Sequence, residues 1–267
     1  MQSLLLIQTG EAPDALRKQF GGFADWFRDA MRLQAAQMRV VRVDAGEALP
    51  ESGTIAGAVI TGSAAMVTER ATWSEQTAGW IRDAMDAETP LFGVCYGHQL
   101  MAQALGGTVG WLPAGREIGT ESITRLAAGG EPGLRELPSS FPAQTTHRQS
   151  VLKPPPGAEV LARSQRDPHQ LLRYAPNALS SQFHPEFTPE FMRAYIEVRA
   201  DTLRDEGLDP DALLTAVRET EAARMLLERF AHAALAAPVA AAVVKIETME
   251  GRSDVPVSES SIRVRVP

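Results

Sequence analysis

Cys95 is the only cysteine in the chain, and its surroundings are arranged for chemistry. It sits in Gly93-Val94-Cys95-Tyr96-Gly97, a Gly-x-Cys-x-Gly pattern. A short apolar run, Leu91-Phe92, precedes the pattern and reads as a buried strand. The stretch 100–105 follows it and reads as a helix ended by Gly106-Gly107. A sharp strand-to-helix turn crowds both neighbours of a nucleophile at its tip, so residues without Cβ are wanted at Gly93 and Gly97. Such a turn places the sulfur at a helix N-terminus, where the backbone dipole favours a thiolate. The competing reading is a small buried residue packed at a strand end.

A thiolate needs an imidazole to hold its proton and later deliver it to a leaving amine. The imidazole needs a carboxylate to fix its tautomer and orientation. Ser181-Gln182-Phe183-His184-Pro185-Glu186-Phe187 offers both. In an extended segment, His184 and Glu186 point to one side, with a stiff proline between them. His-x-Glu alone is a weak pattern that a solvated strand end also produces. Beside a cysteine elbow on an α/β pattern, it gains weight as the second half of a site.

The elements that must position these residues follow a regular rhythm. Residues 3–8 read as a buried strand. Between 13 and 38 the residues Leu16, Phe20, Phe23, Phe27, Met31 and Leu33 recur near helical spacing, with a break at Gly21-Gly22. Strands follow at 39–43 and 55–61, the latter running into Gly62-Ser63. A helix at 73–87 then leads to the strand before Cys95. This predicts an α/β fold in three layers: a mostly parallel, doubly wound (flavodoxin-like) sheet with helices on both faces. Ligands of such sheets sit beyond the C-terminal strand ends, where Gly62-Ser63 and Cys95 both fall.

From 108 to 127 the pattern changes to alternating residues, an antiparallel excursion. Short strands continue at 143–151, 160–164, 170–174 and 179–183. Pro189 then opens a helix to about 206. Asp209-Pro210 caps a further helical run reaching 234. The expected division is a domain over 1–190, a C-terminal helical segment over 191–237, and a poorly ordered tail over 238–267.

Composition narrows the class of function. The 267 residues carry a net charge of −7, with 44% hydrophobic and 22% charged residues, as expected for a globular protein with a sizeable core. The charge and the lack of any basic run argue against nucleic acid as a partner. A lone cysteine leaves no intramolecular disulfide and fits a reducing cytoplasm. Leu4-Leu5-Leu6-Ile7 is too short for a signal peptide, and no run approaches a membrane span. Five scattered histidines show no metal-ligand spacing, and no phosphate or dinucleotide loop appears, so neither metal nor cofactor is expected.

At this point the chain resembles the class I glutamine amidotransferases. The likeness rests on Leu91–Leu100 with Ala104-Leu105-Gly106-Gly107, on Gln182-Phe183-His184-Pro185-Glu186, and on Val59-Ile60-Thr61-Gly62-Ser63, and it covers about 1–190. It implies a Cys95–His184–Glu186 triad that hydrolyses a side-chain amide through a γ-glutamyl thioester. It also implies an oxyanion hole from the backbone N–H of Tyr96 and one from the Gly62-Ser63 loop. Gln99 falls at the family's position beside the bound glutamine. The family loop often reads Gly-Gly-Pro, whereas Gly62-Ser63-Ala64 stands here. Many relatives carry His-x-Asp where this chain has His147-Arg148-Gln149, so His147 either lines the substrate site or makes a structural hydrogen bond.

No ATP-activating domain follows the motifs. The expected substrate is therefore glutamine, with ammonia passing to a separate synthase subunit, or a γ-glutamyl compound cleaved by a free-standing hydrolase. The alternative of another class is a non-catalytic subunit that binds a ligand or partner. His98 is expected to orient the elbow, and His169 and His232 to be surface residues without partners.

Overall fold

A computed structural model describes residues 3–126 and 137–237; the expected tail, 238–267, lies outside them. The strands are β1 (Leu4–Gln8), β2 (Met38–Arg42), β3 (Ala58–Ile60), β4 (Leu91–Val94), β5 (Thr108–Trp111), β6 (Glu117–Arg125), β7 (Ser140–His147), β8 (Gln149–Lys153), β9 (Glu159–Arg163), β10 (Leu171–Ala175) and β11 (Ala178–Ser181). The helices are α1 (Asp14–Phe20), α2 (Phe23–Ala30), α3 (Thr72–Asp86), α4 (Tyr96–Ala104), α5 (Pro189–Val198), α6 (Ala200–Asp205), α7 (Pro210–Ala216) and α8 (Glu221–Ala236).

The main sheet runs β2-β1-β3-β4-β11-β10-β9-β6-β7. From β2 to β11 neighbouring strands are parallel; from β11 to β7 they are antiparallel. The apolar runs of the parallel strands are continuous because both faces are covered. Along β1, Leu5 and Ile7 pack with Ile81 and Ala84 of α3 and Leu100 and Met101 of α4. Leu4 and Leu6 point the other way, toward Phe27 and Ala30 of α2 and Leu227, Phe230 and Ala231 of α8. The last helix of the 191–237 segment thus shares the core of the parallel strands.

Several boundaries differ from those read in the sequence. Gly21 adopts φ 79° and separates α1 from α2, and α2 ends at Ala30 rather than near 38. The 143–151 stretch is two strands. β7 pairs with β6 up to His147, while β8 leaves the main sheet to pair with β5. Arg148 is the single residue between them, and the switch turns the 146–149 backbone toward the ends of the parallel strands. The helix from Pro189 is interrupted at Arg199, giving α5 and α6. Asp209 does cap α7, its Oδ1 accepting from the N–H of Asp211 and Ala212 at 3.0 and 3.2 Å. The run expected to reach 234 breaks between α7 and α8.

Candidate active site

The elbow between β4 and α4 is fixed by close packing on both sides. A Cβ on Gly93 would lie 2.6 Å from the Gly97 carbonyl carbon, and one on Gly97 would lie 2.9 Å from Ile60 Cβ. Neither position has room for a side chain. Cys95 takes φ 51° and ψ −98°, a conformation rarely populated by residues with a Cβ. It is held there by Cys95 N–H donating to the Ser181 carbonyl (2.8 Å) and Gly97 N–H donating to the Thr61 carbonyl (3.1 Å). The thiol faces the Thr146 carbonyl at 3.9 Å.

His184 follows β11, the strand beside β4, and itself forms an isolated bridge to Gln144 of β7. Its backbone N–H donates to the Gln144 carbonyl at 2.8 Å. Its Nδ1 lies 2.7 Å from Glu186 Oε1. The pair is buried and forms in a turn rather than in an extended strand, so the turn, not strand alternation, brings the two side chains together. Phe187 stacks on the imidazole, with centroids 4.1 Å apart and planes 11° from parallel. Burial opposes a charged imidazole here. The Glu186 carboxylate and then the nearby Cys95 outweigh it and hold the His184 pKa well above its ordinary value, while the buried Nε2 has no hydrogen-bond partner among the described residues. Gly62 closes the group: a Cβ there would meet His184 Cε1 at 3.1 Å and Cys95 Cβ at 3.6 Å. Cys95, His184 and Glu186 are therefore one cluster, as their types required.

The loop after β3 replaces the usual Gly-Gly-Pro with a side-chain tether. Ser63 Oγ donates to the Thr9 carbonyl (2.7 Å) and accepts from Ala65 N–H (3.1 Å). The Gly62 carbonyl is turned inward, accepting from the hydroxyls of Thr9 and Thr61 at 2.9 Å each. Tyr96 opens α4, so its N–H lies outside the helical ladder. Its phenol is anchored on Ser74 Oγ at 2.6 Å, and burial pushes its pKa up to about 12, which leaves the phenol neutral.

Gln99 lines the same cleft, but its amide nitrogen is committed, donating to the Gln149 carbonyl (2.7 Å) and to Gln182 Oε1 (3.0 Å). Both ring nitrogens of His147 are likewise engaged. Nδ1 lies 3.0 Å from the Gln149 carbonyl and Nε2 2.9 Å from Glu117 Oε2. Glu117, Asp167 and His147 form a buried group of the kind that can hold a metal ion. Here their atoms are occupied by one another and by Ser150, Ser164 and Gln170. This network fixes the strand ends behind the cleft. His98 is fully buried against Ser180, and His169 and His232 bond the carbonyls of Val151 and Met31 rather than standing free.

Sequence reasoning did not point to Thr146, Glu117 or Asp167, nor to the aromatic side of the cleft, where Trp26, Phe187 and Phe191 meet. Phe187 directly follows Glu186 and is a buried core residue that also stacks on the His184 ring, a contact its sequence position does not reveal. The cleft lined by Cys95, His184, Glu186, Thr146 and these rings has a volume of about 300 Å³. No helix among the described residues is long and apolar enough to cross a membrane.

Comparison with known proteins points to one family. Residues 19–199 match the family model for glutamine amidotransferase class-I. The chain is 33% identical over 186 residues to a GMP synthase (glutamine-hydrolyzing) of Aeropyrum pernix, covering 68% of this chain and 34% of that protein. It therefore spans about a third of that relative's length. It is 27% identical over 188 residues to gamma-glutamyl peptidase 5 of Arabidopsis thaliana, covering 68% of this chain and 74% of that one. The crystal structure of a glutamine amidotransferase from Thermotoga maritima shares the fold, with a TM-score of 0.68 at 22% identity over 86% of this chain and 99% of that chain. The chain belongs to the class I glutamine amidotransferase family.

Proposed function

We propose that the chain hydrolyses the amide at the γ-carboxyl of a glutamyl group, with Cys95 as nucleophile, His184 as proton carrier and Glu186 as its orienting carboxylate. The observation that carries this reading is the buried cluster itself: a thiol on a strained elbow, and an imidazole paired with a carboxylate at 2.7 Å. Cys95 Sγ attacks the γ-carbonyl, and the backbone N–H groups of Tyr96 and Ser63 receive the developing oxyanion. Losing one such donor typically costs about 2.7–4 kcal/mol. The C–N bond breaks as His184 gives its proton to the leaving nitrogen. Water, deprotonated by the then neutral His184, opens the thioester and releases glutamate. With glutamine as substrate, the amine released is ammonia, which a separate acceptor enzyme would consume. A free-standing γ-glutamyl hydrolase is the second reading, favoured by a cleft that extends past His184.

A glutamine-shaped diazoketone should label Cys95 faster than a generic alkylating agent of equal intrinsic reactivity, because the pocket holds it at attacking distance. Intact mass against time, with glutamine as competitor, measures this. Cys95→Ala should remain folded yet take no label and release no amine. Turnover retained in that variant would refute the nucleophile assignment, and absence of both labelling and turnover in the wild type would favour a non-catalytic subunit.

A further inference from the structure

Ammonia needs almost no room, yet the cleft that holds Cys95 and His184 extends well beyond them. His184 must face the leaving nitrogen to protonate it, and an aromatic wall begins at its ring. After Phe187, Phe191 follows at 4.3 Å, Trp26 lies 4.3 Å from Phe191, and Phe23 lies 5.1 Å from Trp26. All four rings line the same cleft as Cys95. Such a wall favours a flat or bulky apolar group.

The same cleft is also rimmed by charge. Glu11 is paired with Arg17 and Arg42, and Arg116 with Glu206. Arg148 and Arg199 have no ion-pair partner among the described residues. Their guanidiniums lie over the rings of Trp111 (5.4 Å) and Tyr195 (5.0 Å). The buried Nε of Arg199 has no hydrogen-bond partner. Arg116, Arg148 and Arg199 all line the cleft, and together they hold the carboxylate of Glu206 below its usual range, Arg116 most of all. The rim carries an excess of positive charge suited to a carboxylate.

Building on the hydrolase reading, we propose that the substrate is a γ-glutamyl dipeptide whose second residue is aromatic or large and apolar. Its side chain lies along Phe187, Phe191 and Trp26, and its free carboxylate meets Arg199 and Arg148. The thioester forms as the peptide nitrogen leaves with the proton of His184. Water then gives glutamate and the free amino acid, and its proton returns to the sulfur through His184.

The test compares kcat/KM for γ-glutamylphenylalanine, γ-glutamylglycine, γ-glutamylphenylalaninamide and glutamine. The phenylalanine dipeptide should exceed the glycine one by about 10–100-fold, the range a filled apolar pocket supplies. Capping its carboxylate as the amide should remove about tenfold or more of that gain. Arg199→Gln should lower the ratio of free-acid to capped-amide turnover, whereas a merely structural defect lowers both rates together. Equal turnover of the two dipeptides, or no effect of the cap, overturns the proposal while the hydrolase reading stands. Calorimetry on Cys95→Ala separates the other failure. If nothing is turned over but the variant binds the phenylalanine dipeptide preferentially, the ligand class stands and the hydrolase reading falls. If no dipeptide preference appears in binding either, both fall.

Discussion

His98 and His184 are both buried near the carboxyl ends of the parallel strands, and each has Nδ1 2.7 Å from an oxygen. Their charges nevertheless diverge. Burial lowers the His98 pKa from 6.5 to about 4, because its near partner is the neutral hydroxyl of Ser180 and the more distant charges of Asp167 and His147 partly cancel. At His184 burial works in the same direction, but the oxygen belongs to Glu186 and a sulfur lies on the other side, so the pKa rises. Distance and burial are thus matched, and the charge of the partner decides. His98 is three residues from the nucleophile in sequence and remains a neutral packing residue. His184 is far away in sequence and is the proposed proton carrier.

The sharpest way to break this contrast is to give His184 a neutral partner. Glu186→Gln keeps the shape but removes the charge, which should move the His184 pKa down toward the behaviour of His98. An amide also permits the wrong tautomer and cannot stabilise the imidazolium. The expected outcome is a kcat lower by about 10²–10⁴-fold, the usual weight of general acid–base catalysis, with KM little changed. Steady-state kinetics with histidine NMR titration would check both effects in one variant. An unchanged kcat would mean that another acid orients His184.

The pH dependence of stability tests the other histidine. His98 is at about 4 when folded and 6.5 when unfolded, so between those values the unfolded chain binds more protons. Its contribution to stability is therefore lost as pH falls from above 6.5 toward 4, by about 3 kcal/mol at most, at 1.36 kcal/mol per unit. His184 has the opposite sign. Its raised pKa contributes stability that is complete below the ordinary imidazole value and lost as pH rises through the folded value. Denaturant unfolding of the wild type and His98→Gln between pH 6.5 and 4.5 should give a steeper slope in the wild type. Equal slopes would show that His98 is not the group responsible.

The contrast also marks what a sequence can and cannot carry. The parallel strands and the elbow are local: the apolar runs around Leu5 and Phe92 and the glycines at 93 and 97 are required by contacts that any sharp, doubly covered turn makes. The pairing of His184 with Glu186 was legible from residue type, although the turn that performs it was not, since His-Pro-Glu fits either an extended strand or a bend. The breaks at Arg148 and Arg199 were not legible. Each interrupts a segment whose composition suits one continuous element, and tertiary pairing, β8 with β5 in the first case, decides otherwise. The structural hydrogen bond weighed for His147 is present, but its partner Glu117 was not legible, nor was the commitment of Gln99 to the Gln149 carbonyl and Gln182, because these partners lie far away in sequence. A polar residue's partners across a sheet leave no trace in its own neighbourhood.

The smallest expected effect comes from the partner of His98 itself. Ser180 Oγ meets both His98 Nδ1 and, at 2.9 Å, the hydroxyl of Tyr174, whose own pKa burial pushes up. Ser180→Ala leaves those two buried groups short of a partner, and the Tyr174 hydroxyl keeps only a 3.5 Å contact to the His98 carbonyl. A buried hydrogen bond lost in this way costs about 1–2 kcal/mol. At about 2–4 °C per kcal/mol for a chain of this size, calorimetry would read a fall in Tm of several degrees. The substitution touches neither Cys95 nor the cleft, and kcat should be that of the wild type under conditions where both are folded. This contrasts with Glu186→Gln: removing the Nδ1 partner of one histidine spares the rate, and removing that of the other lowers it. A kcat that falls with Ser180→Ala while the protein stays folded would show that His98 reaches the reaction after all, and that the two histidines are not the opposites their partners make them.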